Sequence, residues 1–212
     1  MRVEIKFCGL TRARDVETAV ALGCDYVGVI FAGGPRNRTL HEASEILRDS
    51  GNARRVGVFG APRASELSHY VCSIPLAVAQ LHGDSSPKAV TAARAIGVQT
   101  VWAVAPVAGS VLAKDVKELF LSADAVVLDT RDMGGLGGSG RSFEWEAVAS
   151  MISDMPRRAK LVVAGGLTPE NVARAIELLK PDIVDVSSGV ESAPGIKDPI
   201  LMSRFVEAAR SA

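Results

Sequence analysis

The chain has 212 residues, of which 48% are hydrophobic and 23% are charged, so it can bury a sizeable core and fits one globular domain. Lys plus Arg and Asp plus Glu each total 24, which gives a formal net charge of zero. This balance creates no bulk field that would attract nucleic acid or an acidic membrane surface, and we expect neither partner.

Short β-branched runs alternate along the chain with longer amphipathic patterns. The predicted strands are 3–8, 24–31, 54–59, 77–82, 99–104, 123–129, 160–164 and 182–187. The predicted helices are 14–23, 41–50, 63–72, 87–96, 112–121, 143–153, 168–180 and 198–210. Gly23 ends the first helix, and the seventh begins with Thr168 as N-cap and Pro169 at its first position.

Eight strand–helix units in sequence predict a parallel sheet with right-handed crossovers. The strands are near-continuous apolar runs, which is typical of strands covered on both faces. A doubly wound open sheet is the alternative, but eight units in so short a chain favour closure. No Pro/Gly/Ser-rich linker interrupts the sequence. We therefore predict a single α/β domain, residues 1–212, folded as a (β/α)₈ TIM barrel.

The three cysteines, Cys8, Cys24 and Cys72, show no CxxC spacing. This pattern predicts reduced thiols and neither a zinc site nor a disulfide. The segment MRVEIKFCGL lacks the apolar stretch of a signal peptide, and no apolar run approaches the roughly 18 residues of a membrane helix. We expect a cytoplasmic protein.

The loops after the seventh and eighth strands predict a phosphate site. In a closed barrel the active site lies where the strands end, and these two loops carry Gly165, Gly166, Ser188 and Gly189. Glycines let backbone N–H groups approach an anion, and a short helix expected near 190–191 would add its positive N-terminal end. We predict phosphate binding here, as in ribulose-phosphate-binding barrels. The alternative is that the glycines only form tight turns.

The glycine-rich stretch 134–140 formally contains G-x-G-x-x-G. The dinucleotide fingerprint needs its glycines directly after a strand and an acidic residue on the next strand, and both features are missing here. We therefore reject a nicotinamide site. A glycine-hinged loop that closes over substrate is our prediction, and a plain flexible turn is the alternative.

Cys8 and Lys6 lie at the end of the first strand and, two positions apart, on the same side of it. The charge of Lys6 is expected to lower the pKa of the thiol, although most free cysteines are only small buried hydrophobes. A lysine inside a barrel needs a partner, and Asp185 in the neighbouring eighth strand is our candidate.

Three further polar residues follow or end predicted strands. Asp129 ends an apolar run, where a carboxylate is costly to bury without a role, and capping of the next loop is the alternative. His82 is either a site residue or a satisfied core histidine. Arg36 could bind a carboxylate bidentately, although a lone loop arginine more often faces solvent. His41 and His69 are expected on the surface.

Ten segments of the chain share a family pattern. They are KFCGLTR (6–12), GPR (34–36), VGVF (56–59), QLHG (80–83), LDT (128–130), GGSG (137–140), FEW (143–145), GGLTPENV (165–172), DVSSGVE (185–191) and PGIKD (194–198). Together, and in this order, they resemble the phosphoribosylanthranilate isomerase family over essentially the whole chain. Phe7 is a small departure, since Ile is common there.

The resemblance implies an Amadori rearrangement of N-(5-phosphoribosyl)anthranilate, a small phosphorylated molecule, to the corresponding 1-deoxyribulose phosphate in tryptophan biosynthesis. It implies Cys8 as general base, Asp129 as general acid and Arg36 as the contact of the anthranilate carboxylate. Lys6 and His82 are our further candidates for substrate binding. We expect no metal and no other cofactor, because the substrate's own nitrogen serves as electron sink.

Two other functions compete with this interpretation. The first is another enzyme of the phosphate-binding barrels, an indole-glycerol-phosphate synthase or a histidine-pathway aminoaldose isomerase. The histidine-pathway enzyme is expected to use two aspartates, and Cys8 argues against it. The second is a non-catalytic sugar-phosphate sensor. A monomer and a homodimer are both compatible with the sequence.

Overall fold

Eight parallel strands close into a barrel in the computed structural model, which describes residues 2–130 and 142–212. The strands are β1 Glu4–Phe7, β2 Tyr26–Ile30, β3 Arg54–Phe59, β4 Val78–Leu81, β5 Val101–Ala108, β6 Ala125–Thr130, β7 Lys160–Val163 and β8 Ile183–Val186. Consecutive strands pair in parallel, and β8 pairs with β1. The predicted (β/α)₈ barrel is confirmed, and the open sheet is excluded. The predicted closing loop 134–140 lies outside the described residues.

Each barrel strand is followed by a helix. The helices are α1 Ala13–Ala21, α2 Leu40–Ile46, α3 Ala64–Ser73, α4 Pro87–Ala95, α5 Val116–Ser122, α6 Trp145–Ser153, α7 Val172–Leu179 and α8 Pro199–Arg210. Local sequence fixes several starts. Asp198, for example, accepts from the backbone of Ile200 and Leu201, with Pro199 at the first position of α8. Among the helices described, none has the length and apolar composition of a membrane-spanning segment.

The strands separate two hydrophobic clusters. One fills the barrel interior and includes Tyr26 and Trp102, whose rings pack edge to face with centroids 4.9 Å apart. The other, larger cluster lies between the strands and the surrounding helices. Both faces of the strands are therefore covered, which explains why the sequence shows apolar runs rather than strict alternation.

Several predicted boundaries are wrong, and three of the larger differences lie at the carboxyl end of the barrel. β5 continues past Val104 to Ala108 and pairs antiparallel with a short strand at Val111–Leu112, so α5 begins at Val116 and not at 112. The turn between these strands is possible because Gly109 has a φ of +59°.

The other two differences lie near the predicted phosphate loops. α7 begins at Val172, and the residues before it form a capped turn. Asn171 Oδ1 accepts from the backbone N–H of Thr168 at 2.8 Å, and Thr168 Oγ1 accepts from that of Glu170 at 3.2 Å. Thr168 therefore caps the first turn as predicted, and only the start of the regular helix differs. The short helix expected near 190–191 is a 3₁₀ turn at Ser188–Val190. It leads into an antiparallel hairpin of Glu191–Ala193 and Ile196–Lys197, which we call the β8–α8 hairpin.

Candidate active site

The carboxyl ends of the strands open onto one cleft. The sequence-predicted site residues that line it are Cys8, Asp129, Arg36, His82, Gly165, Gly166, Ser188 and Gly189. Lys6, the remaining candidate, does not line it: its side chain is fully buried beneath the cleft. The expectation that Lys6 contacts substrate is therefore corrected, because its ammonium group is enclosed by protein.

Lys6 instead forms the charged floor of the cleft. Its Nζ lies 2.6 Å from Asp185 Oδ2 and donates to Gln80 Oε1 at 3.0 Å. The predicted pairing with Asp185 is thus confirmed, and it follows from the register, since Lys6 and Asp185 are directly paired across β1 and β8. Both Asp185 and Gln80 reach the cleft wall. The floor therefore exposes carboxylate and amide groups to the cleft while its cation stays behind them.

Cys8 lies directly above this floor, at the end of β1. Burial raises the pKa of its thiol, Lys6 lowers it and Asp185 raises it again, and the net pKa lies above the ordinary value. The expected lowering by Lys6 is present, but its charge is already paired with Asp185 and does not offset the desolvation of a thiolate. Room for both side chains comes from Gly28, where a Cβ would lie 3.2 Å from Cys8 Sγ and from Lys6 Cε.

Asp129 faces the same cleft from β6. His82 Nε2 lies 3.9 Å from Asp129 Oδ2, too far for a direct hydrogen bond. Burial and the nearby charge of Lys6 lower the pKa of His82, so the imidazole is neutral at pH 7. One of its ring nitrogens can then donate a hydrogen bond and the other can accept one. Gly165, with a φ of +77°, packs against the acid, where a Cβ would lie 2.7 Å from Asp129 Oδ1.

The loops after β7 and β8 are in direct contact. Gly165 and Gly166 both have left-handed φ values, +77° and +70°, which favour glycine. A Cβ on Gly189 would lie 1.8 Å from the carbonyl oxygen of Leu167, so no larger residue fits between the loops. Ser187 Oγ, which lies beside Gly9, is buried with no hydrogen-bond partner among the described residues. The backbones of the two loops thus converge at the cleft.

Arg36 approaches from the loop after β2. Its Nε and Nη2 donate to the two carboxylate oxygens of Glu191 at 2.9 and 2.7 Å. Lys197 Nζ, which is fully buried, also donates to Glu191 at 2.8 Å. The guanidinium of Arg36 is therefore fixed beside the cleft by Glu191 and does not face solvent. His41 and His69 are exposed, as expected.

Sequence reasoning assigned no role to Gln80, Ser187, Glu191 or Lys197, although all four lie in the family segments. Gln80 interrupts an otherwise apolar strand, and that interruption is a usable signal of an inward polar group. Ser187 and Glu191 lie in the DVSSGVE motif but carry no role from spacing alone. Lys197 gives no local signal, because its burial depends on the β8–α8 hairpin folding back over the first loop.

Comparison with known proteins agrees with this geometry. Residues 5–208 match the family model of N-(5'-phosphoribosyl)anthranilate isomerase. The chain is 36% identical to the N-(5'-phosphoribosyl)anthranilate isomerase of Ralstonia nicotianae, with 100% of this chain and 94% of that protein covered. It is 37% identical to the enzyme of the same name from Paramagnetospirillum magneticum, with 99% and 98% covered.

Solved structures give the same result. Phosphoribosyl anthranilate isomerase from Thermotoga maritima superposes with a TM-score of 0.85 at 30% identity, covering 99% of this chain and 100% of that one. A structure of the isomerase in complex with reduced 1-(o-carboxyphenylamino)-1-deoxyribulose 5-phosphate superposes with a TM-score of 0.80 at 28% identity, covering 99% of this chain and 100% of that one.

Fold and cleft together define a barrel enzyme of the sugar-phosphate-binding class, with its reactive groups at the carboxyl ends of the strands. Within that class, the match over nearly the whole length decides the family. The chain belongs to the N-(5'-phosphoribosyl)anthranilate isomerase family, and the resemblance seen in its motifs is confirmed.

Proposed function

We propose that Cys8 and Asp129 are the general base and general acid of the reaction for which this family is named. As a family member, the chain is an isomerase that converts N-(5-phosphoribosyl)anthranilate to 1-(2-carboxyphenylamino)-1-deoxyribulose 5-phosphate in tryptophan biosynthesis. One observation carries the assignment: Cys8 and Asp129 line a single cleft together with the glycine loops after β7 and β8.

The two groups suit the two proton transfers of an Amadori rearrangement. Protonated Asp129 gives its proton to the ribose ring oxygen, which breaks the C1′–O bond and leaves a Schiff base with the aryl nitrogen. Cys8, as thiolate, removes the C2′ proton, and the electron pair flows to that nitrogen to form an enolamine. Tautomerisation of the enolamine yields the ketone, so the atoms balance without an oxidant or reductant.

Two anion-binding ends would hold the sugar between these groups. We assign the phosphate to the loops that carry Gly165, Gly166, Ser188 and Gly189, since their backbones are free of side chains at the point of closest approach. Arg36 is our contact for the anthranilate carboxylate, because its guanidinium lines the cleft and can bind a carboxylate through an N–H fork. Holding both ends lowers the entropic cost of the reaction.

His82 and Lys6 take supporting roles in this assignment. Neutral His82 is a candidate for hydrogen bonding to a substrate hydroxyl near Asp129. Lys6 acts from beneath, as a fixed positive charge that lowers the pKa of Cys8 below what burial alone would give. Because the pKa of Cys8 is raised, only part of the enzyme carries the thiolate near neutral pH. The rate therefore depends on the protonation state of Cys8.

A fluorescence assay tests the proposal, because anthranilate-containing substrate and product differ in emission. Purified protein should consume phosphoribosylanthranilate, and Cys8→Ser should lower kcat by about 10²–10⁴-fold, the usual contribution of a general base. Cys72→Ser is the matched control, since this thiol is exposed on α3, and it should keep full activity. Near-normal turnover by Cys8→Ser would remove the thiol from the mechanism.

The same assay separates the competing functions. Turnover of the histidine-pathway aminoaldose in preference to phosphoribosylanthranilate would favour the related isomerase, and tight ligand binding without turnover would favour a sensor. We further propose that the enzyme works in the reducing cytoplasm, which suits its free thiols. A monomer or homodimer is proposed, the isomerase from Thermotoga maritima being described as dimeric, and light scattering distinguishes them.

A further inference from the structure

A buried group of three charges lies behind the cleft wall. The carboxylate of Glu191 accepts two hydrogen bonds from Arg36, at 2.9 and 2.7 Å, and one from Lys197 Nζ at 2.8 Å. Lys197 Nζ also donates to the backbone oxygen of Ser187 at 3.0 Å. The side chains of Glu191 and Lys197 are only 4% and 0% exposed. We call Arg36, Glu191 and Lys197 the charge triad.

The charge triad carries one positive charge in excess. Two cations share one carboxylate, and buried charge that is not balanced is costly. Of the three side chains, that of Arg36 lines the cleft, whereas Glu191 and Lys197 do not. Glu191 occupies the Nε–Nη2 edge of the guanidinium. Among the described residues no acceptor is bound at the second edge, between Nη1 and Nη2, which could take another anion. One carboxylate placed there would bring two cations and two anions together.

The aliphatic part of the Arg36 side chain is also closely packed. It crosses Gly9, where a Cβ would lie only 2.6 Å from Arg36 Cδ and 2.9 Å from Ser187 Oγ. Gly9 also has a φ of +66°, which favours glycine. The absence of a side chain at Gly9, directly after Cys8, therefore provides the channel in which the arginine lies.

The hairpin that carries Glu191 and Lys197 is itself anchored to the first loop. Thr11 Oγ1 donates to the backbone oxygen of Gly195, and Arg12 Nη2 donates to that of Lys197 at 3.0 Å. Arg12 is held in turn by both oxygens of Asp15, at 2.9 and 2.7 Å. The loop that follows Cys8 and the β8–α8 hairpin are thus connected at two points, which fixes Glu191 relative to the thiol.

We propose that Glu191, held by Lys197, is a positioning residue that aims the second edge of Arg36 at the aryl carboxylate of the substrate. The inference rests on the proposed function, since it presupposes that Arg36 meets that carboxylate. It adds that the carboxylate is recognised by a charge triad assembled from the β2 loop and the β8–α8 hairpin, and not by a lone arginine.

The protonation states agree with this role. Burial raises the pKa of Glu191, but its hydrogen bonds to Arg36 and Lys197 lower it further, and the net pKa lies below the ordinary value. Burial lowers the pKa of Lys197 and its pairing with Glu191 partly restores it. Glu191 is therefore a carboxylate at neutral pH, able to accept from both cations.

Two substrates that differ only in the carboxylate provide the test. Phosphoribosylanthranilate and its aniline counterpart are both made by condensing ribose 5-phosphate with the amine. Glu191→Gln should raise KM for the anthranilate substrate about tenfold or more and change kcat less than about threefold, because it disturbs binding and not the reacting atoms. KM for the aniline substrate should stay unchanged.

A double-mutant comparison shows whether Glu191 acts through Arg36. In an Arg36→Ala background, Glu191→Gln should cause no further rise in KM, since the side chain that it positions is gone. Glu42→Gln is the matched control, because Glu42 pairs with Arg38 on the exposed start of α2 and lies outside the cleft. If Glu191→Gln fails to fold, Lys197→Met should give the same carboxylate-dependent rise.

The outcomes separate the two proposals. An equal rise in KM for both substrates, a loss mainly in kcat, or a further rise in the Arg36→Ala background would overturn the positioning role of Glu191. If Arg36→Ala itself leaves the KM ratio of the two substrates unchanged, the assignment of Arg36 to the carboxylate fails first. Competitive inhibition by inorganic phosphate should be unaltered in every variant, which shows that the opposite end of the cleft is intact.

Discussion

Each end of the barrel carries a cluster of charged residues. The two clusters differ in how many of their polar atoms have a hydrogen-bond partner. At the amino end, Glu4 accepts from Lys160 at 2.6 Å, from the Tyr26 hydroxyl at 3.3 Å and from Arg54. Arg54 also lies over the Tyr26 ring, 3.9 Å from its centroid. Both oxygens of Glu4 are thus used, and the cluster closes the base of the barrel.

The carboxyl end also pairs acidic with basic side chains, but among the described residues some of its buried polar atoms have no partner. Asp185 Oδ1 and Ser187 Oγ are buried without a hydrogen-bond partner in the described residues, and both residues line the cleft. An unsatisfied buried polar group costs about 1–3 kcal/mol. Such a cost is tolerated where a ligand can remove it by hydrogen bonding. Unpaired polar atoms therefore distinguish the end that performs chemistry from the end that only closes the barrel.

Loss of the acid should give the largest effect. Asp129→Asn cannot deliver a proton to the ribose ring oxygen, and kcat should fall by about 10²–10⁴-fold while the melting temperature stays near that of the wild type. Steady-state fluorescence kinetics and circular dichroism measure the two quantities. Asp49→Asn, an exposed change in the turn after α2, is the control, and an active Asp129→Asn enzyme would show that another group supplies the proton.

A substitution at the contact between the two phosphate loops should come next. A Cβ at Gly189 would lie 1.8 Å from Leu167 O, so Gly189→Ala must force the loops apart and should raise KM about tenfold or more through weaker phosphate binding. Gly60 directly follows β3, and a Cβ there would have its nearest contact at an ordinary 3.5 Å. Gly60→Ala should therefore change KM little. Equal effects of the two substitutions would argue against a built phosphate site.

The pH profile should reveal the raised pKa of Cys8. Because the thiolate is the base and its pKa lies above the ordinary thiol value, the thiolate fraction should rise with pH from 6 to 9, by up to about tenfold per pH unit. The residual kcat/KM of Asp129→Asn, in which no acid titrates at this position, should rise with it. Ultraviolet absorbance of the thiolate, taken as the difference between wild type and Cys8→Ser, should follow the same limb. A profile already flat below pH 7 would mean that the thiolate forms more easily in the free enzyme.

The amino end should show a small effect on stability and none on activity. Glu4→Gln should lower the free energy of unfolding by about 1 kcal/mol at neutral pH, since the ion pairs are partly exposed. The pKa of Glu4 is lowered in the folded state, so its contribution is present at neutral pH and disappears as the pH falls below about 4. Urea unfolding of both proteins at pH 7 and in acid measures this, and altered kcat would contradict the division between the two ends.

The sequence predicted the barrel because each unit carries its own signals, including Gly23 after α1, which has a φ of +72°, and Pro199 at the start of α8. It also predicted the pairing of Lys6 with Asp185, since an inward lysine on β1 can meet an acid on the strand beside it. The alternation of strands with helices predicted the barrel, and the order of its strands predicted the pairing.

Other features depend on contacts between distant segments and could not be predicted. The raised pKa of Cys8 results from a balance between burial and two opposite charges, whereas the sequence identified only the lowering contribution of Lys6. Arg36 was recognised as a candidate, but its partner Glu191 is 155 residues away and meets it only through the β8–α8 hairpin. Local patterns contain no information about such a meeting.

The floor formed by Lys6 also has a consequence for how the chain folds. Its bonds to Gln80 and Asp185 join residues 74 and 179 positions apart, so the second spans most of the chain. Contacts that close loops of that length form late in folding, because the chain loses conformational entropy before the long-range contacts stabilise it. Until β8 docks on β1, Lys6 has no counter-ion, and desolvation opposes its burial. We therefore expect ring closure and assembly of the active-site floor to be one kinetic event, so that recovery of activity reports completion of the barrel.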